Sequence, residues 1–301
     1  MKNKALITGA TGFIGGALAR SLLKNGWSVA IIIRDGSDAT HIQDVINEST
    51  THIYDGRVET LIDIMADVKP NVVFHLASLV LVKHEPADIE NLIFSNITFG
   101  TQLLESMVKT GVGNIVFAST LWQFSGEDEC QSVNLYAATK KAFQVVVDYY
   151  HDAFGISAVS LILADTYGVG DKRPKLINFL VEALGEATEL SMSPGEQIID
   201  ISHVRDVARS FEFAALKLFR STESLRLNLA VCGTRVTVKQ LVSIVETVGK
   251  GKINAVFGGR PYRTREILCP AQLPQLEPNW EKVALDDGIR ELIEASLKAH
   301  L

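Results

Sequence analysis

The 301-residue chain has few cysteines, no long apolar run and no surplus of basic residues. Its three cysteines (Cys130, Cys232 and Cys269) are far apart and form no Cys-x-x-Cys pair, so we expect reduced thiols, no disulfide framework and no metal site. The most apolar window, residues 72–82, is too short to span a bilayer. The first residues are polar and lead directly into an apolar strand, which predicts no signal peptide and a soluble, cytoplasmic protein.

Acidic residues outnumber basic ones, 35 to 29, for a formal net charge of −6. General nucleic-acid binding needs a basic surface, so we expect no nucleic-acid partner, although a local basic pocket for one phosphorylated ligand is compatible with this balance. The hydrophobic fraction of 47% is that of a folded protein, which excludes a disordered chain.

The chain alternates short apolar runs with helical stretches up to about residue 170. Strands are predicted at 5–7, 29–33, 72–74, 115–117 and 158–163, and helices at 12–25, 87–109 and 136–154. This alternation predicts an α/β fold, a Rossmann-type doubly wound parallel sheet. Later helices are predicted at 174–184, 204–219, 238–248 and 281–299. Glycine and proline loosen this later pattern, so we expect residues 1–170 to form a dinucleotide-binding lobe. We expect residues 171–301 to form mainly a smaller, C-terminal substrate-binding lobe, from which some segments return to the first.

Three glycines at a spacing of three, Gly9, Gly12 and Gly15, lie between the first strand and the first helix. The first can make a tight turn, the second lets the backbone approach a pyrophosphate, and the third lets the helix pack on the strand. The helix N-terminus adds amide groups and partial positive charge for phosphates. The residues between these glycines belong to the same predicted cofactor site: Thr11, Phe13 and Ile14.

The end of the second strand distinguishes NADP from NAD. Ile33 occupies the position of the acid that would accept the ribose hydroxyls, and Arg34 follows it. Arg34 can pair with a 2′-phosphate and Ser37 can add a hydroxyl, so NADP(H) is favoured. The alternative is that Arg34 is a solvated turn residue and Asp35 binds the ribose of NAD.

Two further strand ends are predicted to line the cofactor cleft. Asp55 and Gly56 follow the third strand, where an acid can approach the adenine amino group. Leu76, Ala77 and Ser78 follow the fourth strand, at the carboxyl edge of the sheet where ligands bind. The preceding histidine is interpreted as a core residue.

Tyr136 and Lys140 are spaced i and i+4, on one face of a predicted helix. A nearby cation lowers the pKa of a phenol, which makes it a better acid/base group at neutral pH. Ser119 and Thr120 end the preceding strand, where a hydroxyl can meet a substrate oxygen. A tyrosine and a hydroxyl beside a nicotinamide are the groups needed for hydride transfer to or from a carbonyl.

With these residues the sequence resembles an extended short-chain dehydrogenase/reductase of the nucleotide-sugar epimerase/dehydratase type. The resemblance spans the chain, and its motifs lie at residues 8–15, 75–77, 96–100, 117–120, 136–140, 167–168 and 199–208. It implies an NAD(P)-dependent enzyme in which Thr120, Tyr136 and Lys140 form the catalytic triad and Asn96 shapes the active site beside the cofactor. Ser119 is a rival for the role of Thr120.

Leu121 and Trp122 stand where the dehydratases of this family carry an Asp-Glu pair, so dehydration is disfavoured. Two reactions remain: an NADPH-dependent reduction of the 4-keto group of a nucleotide-linked 6-deoxy sugar, which we favour, and an NAD-dependent 4-epimerisation. Residues 163–171 and 193–197 look similar to enzymes that make 3,6-dideoxyhexoses such as CDP-abequose and CDP-paratose, which implies deoxysugar and O-antigen synthesis. A third possibility is a non-catalytic dinucleotide sensor, although such proteins typically lose the tyrosine or the lysine.

The resemblance implies a nucleotide-diphosphate sugar as the substrate, and arginine forks suit its diphosphate. The candidate substrate residues are Ser119, Trp122, Asp165, Arg173, Arg260, Arg263 and Arg265. The helices near 87–109 and 136–154 carry apolar residues on more than one face, which predicts a homodimer through them.

Overall fold

A seven-stranded sheet forms the centre of the protein. The computed structural model describes residues 2–125, 131–277 and 280–299. Its strands, in chain order, are β1 Lys4–Thr8, β2 Ser28–Arg34, β3 Thr50–Tyr54, β4 Val72–His75, β5 Asn114–Thr120, β6 Ser157–Leu163, β7 Asp165–Tyr167, β8 Leu190–Met192, β9 Ile198–His203, β10 Arg226–Val231, β11 Thr234–Thr237 and β12 Ala255–Phe257.

The α-helices, in chain order, are α1 Phe13–Lys24, α2 Gln43–Glu48, α3 Val58–Val68, α4 Ile89–Ile93, α5 Phe99–Thr110, α6 Leu135–Phe154, α7 Leu176–Glu182, α8 Val204–Arg220, α9 Val238–Gly249 and α10 Leu285–Ala299. Short 3₁₀ turns lie at Thr40–Ile42, Pro86–Asp88 and Leu121–Gln123, and a π-helical turn lies at Phe94–Thr98. Within the described ranges, none of the helices combines the length and apolar character that crossing a bilayer would need.

The large sheet has the order β10-β6-β5-β4-β1-β2-β3, and every neighbouring pair in it is parallel. The strand order reverses between β1 and β4, so the carboxyl ends of these two strands form the crevice where ligands bind in sheets of this kind. The predicted Rossmann-type α/β fold is confirmed. Two small sheets, β11-β9-β7 and β12-β8, lie outside it.

Both faces of the large sheet are buried. Successive residues of each strand point to opposite sides, so each strand contributes to the packing on both faces. On one face, Ile7 of β1 packs in a cluster with Leu18 of α1 and Phe211 of α8. On the other face, Leu6 packs in a cluster with Leu103 of α5 and Phe143 of α6. Continuous apolar strands therefore hold α1 and α8 on one side and α3, α5 and α6 on the other.

A third hydrophobic cluster lies in the later part of the chain. It joins Leu180 of α7, Leu241 of α9 and Ile289 of α10 to the small sheets around Ile201 of β9. The chain also returns to the large sheet after residue 170, since α8 packs against α1 and β10 pairs with β6.

Several element bounds differ from the sequence-based expectations. The single helix expected at 87–109 is a succession of a 3₁₀ turn, α4, the π turn and α5. The helix expected at 174–184 is shortened to α7, because Lys175 is extended and the chain turns at Gly185 with a φ of +84°. The helix expected from residue 281 begins at Leu285. Cys232 and Cys269 are free thiols, and Cys130 lies outside the described residues.

Candidate functional site

The glycine turn between β1 and α1 packs directly on the loop that follows β4. Gly9 has a φ of +79°, and a Cβ there would lie 2.5 Å from the backbone nitrogen of Ala77. A Cβ on Gly15 would lie 2.1 Å from the carbonyl oxygen of Gly9. These contacts leave no room for a side chain. The first and third glycines therefore occupy the turn and the helix-packing positions expected of them.

The N-terminus of α1 opens into this crevice without a side-chain cap. Gly12 is the N-cap, and the first turn of the helix contains no acidic residue. Its amide groups and the positive end of the helix dipole are therefore suited to an anion. Around them, the Thr11 carbonyl lies 2.9 Å from a ring nitrogen of His41, the Phe13 ring lies under Arg173, and Ile14 packs against the core.

The end of β2 places Arg34 in solvent at the edge of the crevice. The Ser37 amide donates to the Arg34 carbonyl at 3.2 Å, which closes a turn through Gly36. Ile33 is half-buried, and Asp35 is exposed like Arg34. The side of the crevice near the second strand therefore presents one exposed cation and one exposed carboxylate.

Asp55, after β3, is held by its neighbours. Its carboxylate accepts hydrogen bonds from the Thr60 hydroxyl at 2.7 Å and from the Arg57 side chain at 2.8 Å. These hydrogen bonds lower the pKa of Asp55 to about 2. The next residue, Gly56, has a φ of +97°, which turns the chain away from the sheet.

Two backbone hydrogen-bond donors fix the loop after β4 to the end of β1. The Leu76 amide donates to the Thr8 carbonyl at 3.1 Å, and the Ala77 amide contacts the Thr8 hydroxyl at 3.3 Å. That hydroxyl also lies 2.8 Å from Nδ1 of His75. His75 is fully buried, and burial lowers its pKa to about 3, so it is a neutral core residue.

Asn96 lies in the π-helical turn and is almost completely buried. Its Oδ1 accepts from the Ser78 hydroxyl at 2.9 Å and from the Leu79 amide at 2.8 Å. Its Nδ2 donates to the Leu79 carbonyl at 3.0 Å and to the Thr139 hydroxyl at 2.9 Å. The side chain thus binds the loop after β4 to helix α6. All four of these hydrogen bonds of the Asn96 side chain are to other groups of the protein.

Three hydroxyl groups meet at the carboxyl edge of the sheet. Tyr136, in the first turn of α6, is buried, and its hydroxyl interacts with those of Ser78 and Thr120. Burial raises the pKa of Tyr136 to about 12, and the two hydroxyls oppose this rise only in part. The expectation that Lys140 lowers this pKa is not met, because burial dominates and Lys140 is not among the groups that lower it. The phenol therefore keeps its proton at neutral pH.

Ser119 and Thr120 are adjacent but point to different surroundings. The Ser119 hydroxyl accepts from Gln123 at 2.6 Å and from Gln144 at 3.2 Å, inside the protein. Thr120 caps the following 3₁₀ turn through the Trp122 amide and reaches Tyr136. Of the two hydroxyls, the structure brings Thr120 to the tyrosine, whereas Ser119 is held in an internal network.

Lys140 lies one turn after Tyr136 and is almost completely buried. Its ammonium has no hydrogen-bond partner within the described part of the chain. Burial lowers its pKa to about 8. A buried cation without a partner is costly, so this amine is suited to an oxygen ligand that the described residues do not supply.

A second group of side chains faces the tyrosine from the other side. The Trp122 ring lies edge-on to Tyr136, with 6.3 Å between ring centroids. The Lys175 ammonium lies 5.9 Å from the centroid of the Trp122 ring and 2.9 Å from a carboxylate oxygen of Asp165. An aromatic face and an ion pair therefore border the space beside the hydroxyl cluster.

Arg173 bridges this group and the glycine turn. Its guanidinium binds Asp171 with two hydrogen bonds of 2.7 Å and lies 5.1 Å from the centroid of the Phe13 ring. Its positive charge also acts on Tyr136 and lowers the pKa of the phenol, against the rise that burial causes. The arginine is thus a fixed cation between the expected phosphate site and the phenol.

The three arginines of the later loop are exposed. Arg265 donates to the Ser132 carbonyl at 2.8 Å and has a φ of +65°, which joins its loop to the segment before α6. The backbone amide of Arg260 donates to Met192, and that of Arg263 contacts Glu266. Arg265 is therefore brought to the segment before α6, whereas the backbone contacts of Arg260 and Arg263 are with their own part of the chain.

A family model described as the NAD dependent epimerase/dehydratase family matches residues 5–230. The chain belongs to this family. It is 24% identical over 268 residues to the CDP-abequose synthase of Yersinia pseudotuberculosis, covering 89% of this chain and 91% of that protein. It is 26% identical over 316 residues to the UDP-glucose 4-epimerase of Corynebacterium glutamicum, covering 97% and 94%.

Among solved structures, the fold is similar to that of the UDP-glucose 4-epimerase of Thermotoga maritima in complex with UDP-glucose. The TM-score is 0.83 at 21% identity, covering 99% of this chain and all of the other. The predicted resemblance to the epimerase/dehydratase family is confirmed.

The residues present fit the dinucleotide that the family name implies. The glycine turn forms a cradle that side chains would fill, and the uncapped start of α1 faces it. The buried ammonium of Lys140 has no hydrogen-bond partner among the described residues and suits a ribose hydroxyl. For metals, no cluster of histidine, cysteine, aspartate or glutamate suited to a metal ion occurs among the residues that the structure describes.

Four residues of the site network escaped the sequence analysis: His41, Gln123, Thr139 and Gln144. Helical spacing could have indicated two of them, because Thr139 and Gln144 are three and eight residues after Tyr136, on its side of α6. Nothing in the sequence marks His41, whose contact with Thr11 joins two loops that only the fold brings close, or Gln123, which reaches Ser119 across the short turn after β5.

Proposed function

We propose that this protein is an NADPH-dependent reductase that acts on the 4-keto group of a nucleotide-linked 6-deoxy sugar. The observation that carries the proposal is the convergence of Thr120 and Tyr136, with Lys140 one turn further along α6, beside the glycine turn. This arrangement supports an enzyme over a dinucleotide sensor, which would have no use for the hydroxyl pair.

The raised pKa of Tyr136 supports a role as general acid. When bound, the nicotinamide supplies a hydride to the carbonyl carbon. Tyr136 donates its proton to the carbonyl oxygen, and Thr120 donates a hydrogen bond to the same oxygen. The product alcohol has then gained a hydride on carbon and a proton on oxygen. The phenolate that remains on Tyr136 is reprotonated from solvent.

NADP(H) is the proposed cofactor. Arg34 is exposed at the end of β2, and the half-buried side chain before it is Ile33 instead of an acid. A guanidinium can pair with a 2′-phosphate, whereas NAD would need the neighbouring Asp35 for its ribose. The Ser37 hydroxyl, the Asp55 carboxylate and the backbone of residues 76–78 complete the proposed cofactor contacts.

The substrate proposal depends on the space around Tyr136 and on the relatives. Trp122 supplies an apolar face, and Asp165 and Arg173 supply hydrogen-bonding groups at its border. The CDP-abequose synthase relative supports a nucleotide-linked deoxysugar. We assign the diphosphate to Arg173 and to the exposed arginines of residues 260–265, within a lobe that residues 171–301 mainly form.

A nucleotide-sugar 4-epimerase is the second candidate, favoured by the similarity to UDP-glucose 4-epimerase over 97% of the chain. Such an enzyme oxidises and reduces the same carbon and consumes no cofactor. It would retain NAD, which the exposed arginine at the end of β2 disfavours.

The purified full chain tests the two candidates directly. We expect stoichiometric NADPH oxidation with a CDP-linked 4-keto-6-deoxy sugar and no net oxidation with UDP-glucose or UDP-galactose. Tyr136→Phe should reduce kcat about 10²–10⁴-fold while NADPH still binds. Interconversion of UDP-glucose and UDP-galactose without cofactor consumption would establish the epimerase instead. No turnover with any nucleotide sugar, together with NADPH binding, would favour the non-catalytic dinucleotide sensor over both enzymes.

We also propose a homodimer through α4, α5 and α6. Apolar side chains are exposed there, including Val145 and Tyr149 of α6, at 64% and 59%, and Ile93 and Phe94 before α5. Burying such a surface against a second copy is favourable. Light scattering should give twice the chain mass, and a monomeric mass would contradict the dimer.

A further inference from the structure

We propose that Arg173 binds the pyrophosphate of the dinucleotide as well as the diphosphate of the sugar, so that one guanidinium contacts both phosphorylated ligands. The inference rests on the proposed NADP(H) site and extends it. Arg173 lies on the loop between β7 and α7, whereas the cofactor contacts proposed above come from elements up to α6.

The guanidinium of Arg173 lies at the start of α1. Its central carbon is 5.1 Å from the centroid of the Phe13 ring, and Phe13 is the first residue of this helix. Helical side chains tilt toward the N-terminus, which is also the end at which the first amides of the helix point outward. The N-cap, Gly12, has no side chain with which to cap these amides. An anion bound at the amides would therefore lie beside the guanidinium.

Arg173 has two hydrogens left for a ligand. A guanidinium has five N–H donors, one on Nε and two on each Nη. Nε and Nη2 donate to the two carboxylate oxygens of Asp171, each at 2.7 Å, and Nη2 also donates to the Thr166 carbonyl at 3.3 Å. Among the described residues, neither hydrogen of Nη1 has an acceptor. The side chain is 40% exposed, so Nη1 is open to a ligand.

Asp171 and its neighbours hold this guanidinium in place. The Asp171 side chain is only 1% exposed, and it also accepts from the Arg173 amide at 3.1 Å. The Asp171 amide donates to the Gly168 carbonyl at 3.3 Å. The Asn178 side chain donates to the carbonyls of both Asp171 and Arg173, at 3.0 and 3.1 Å. A side chain fixed in this way loses little entropy when a ligand binds.

The loop that carries Arg173 reaches both sides of the cleft. The Lys175 amide donates to the Arg173 carbonyl at 2.8 Å, across Pro174. The Lys175 ammonium lies 5.9 Å from the Trp122 ring, which is edge-on to Tyr136. Arg173 at the glycine turn and Lys175 beside the space for the sugar are thus two residues apart. Because Nη1 has two hydrogens, it can donate to one oxygen of each ligand.

The carboxylate of Asp171 determines the kind of interaction to expect from Arg173. At long range its negative charge offsets that of the guanidinium, so the arginine acts through hydrogen bonds to a phosphate in contact with it. Such charge-assisted hydrogen bonds are about twice as strong as neutral ones. Removing the guanidinium should therefore weaken a ligand that has a phosphate at this position and leave other anions unaffected.

Two ligands that differ in the pyrophosphate test this contact. NADPH carries it, whereas adenosine 2′-monophosphate carries only the adenosine and its 2′-phosphate. Arg173→Met keeps an apolar side chain over Phe13 and removes the donors. It should weaken NADPH binding about 10–100-fold and leave the affinity for adenosine 2′-monophosphate unchanged. Isothermal titration calorimetry measures both dissociation constants.

Arg235→Met is the matched control, because Nε of Arg235 also binds a buried carboxylate, that of Asp200 at 3.0 Å, but in the small sheet of β9 and β11. It should leave the affinity for both ligands unchanged. An equal NADPH loss in the two variants would overturn the inference, and so would an equal loss of both ligands in Arg173→Met, which would indicate a merely structural arginine.

The titrations contain no sugar, so they separate this inference from the proposed reaction. Unchanged NADPH binding in Arg173→Met would overturn the inference and leave the proposed reduction intact. Weakened NADPH binding in a protein that reduces no nucleotide sugar would support the contact and contradict the reaction.

Discussion

The two sides of the cleft are built in different ways. On the proposed cofactor side, the glycine turn, the loop after β4 and α6 are joined by backbone contacts and buried side chains such as Asn96 and Lys140. On the proposed substrate side, the residues lie on loops and at strand ends, in ion pairs open to solvent such as Lys175 with Asp165. A rigid scaffold with variable loops lets one family keep its chemistry and change its substrate.

The largest losses of stability and of NADPH binding are expected when the backbone contacts of the proposed cofactor side are disturbed. Gly9→Ala forces a left-handed φ on alanine and places its Cβ 2.5 Å from the Ala77 nitrogen, so we expect a loss of roughly 2–5 kcal/mol in the free energy of unfolding, with weaker NADPH binding. Gly26→Ala is the matched control, because its φ is +82° but no atom lies within 4 Å of the added Cβ. It should cost only about 1–2 kcal/mol and leave NADPH binding intact. Equal losses of stability in the two variants would contradict this, since they would mean that the residues around Gly9 shift to accommodate the added Cβ. Urea unfolding measures both.

Lys140→Met should stabilise the protein and abolish its dinucleotide affinity. The pKa of Lys140 falls from 10.5 to about 8 on folding, so between these values the unfolded chain binds more protons and the stability of the native protein rises with pH. The penalty for the buried charge is fully present below pH 8, where the variant should be more stable by about 3 kcal/mol.

Unfolding curves at several pH values should show a rise in stability between about pH 8 and pH 10.5 that the methionine variant lacks. A destabilised variant, or one with the same pH profile as the native protein, would contradict the buried unpartnered ammonium. NADPH titration of the same samples reports the lost affinity.

Arg34→Ala should change cofactor choice without changing stability. Loss of a charge-assisted contact to a 2′-phosphate should weaken NADPH binding about 10–100-fold, and NADH binding should be unchanged. Dissociation constants for both cofactors check this, with Arg220→Ala as an exposed control at the end of α8. Parallel losses for NADPH and NADH would remove Arg34 from the 2′-phosphate site.

The smallest effect is expected on the substrate side. Arg263→Ala removes one exposed cation, so KM for the nucleotide sugar should rise no more than about 5-fold, while kcat and NADPH affinity stay the same. Steady-state kinetics at saturating NADPH measures this change. A larger fall in kcat than in affinity for the sugar would show that this loop contributes to the chemistry, and the contrast between the two sides would fail.

The sequence predicted the parallel sheet and the order of the motifs along it well, because both depend on the local pattern of residues. Continuous apolar strands, the glycine spacing and the i, i+4 pair of Tyr136 and Lys140 are properties of adjacent residues. The break of the 87–109 helix at a π turn was not predictable, since it depends on how Asn96 packs against Ser78 and Thr139.

The choice between Ser119 and Thr120 shows what the sequence by itself could not decide. Both are strand-end hydroxyls in the sequence, and only the side each faces distinguishes them, with Gln123 and Gln144 taking the first and Tyr136 the second.

By itself, the sequence determined the fold class, the family and the place of the glycine turn between β1 and α1, because hydrophobic periodicity and glycine spacing are local. The ionisation of the site was decided by the tertiary structure alone. Whether Tyr136 keeps its proton depends on burial, and so does the lowered pKa of Lys140; burial is a property of packed elements far apart in the chain.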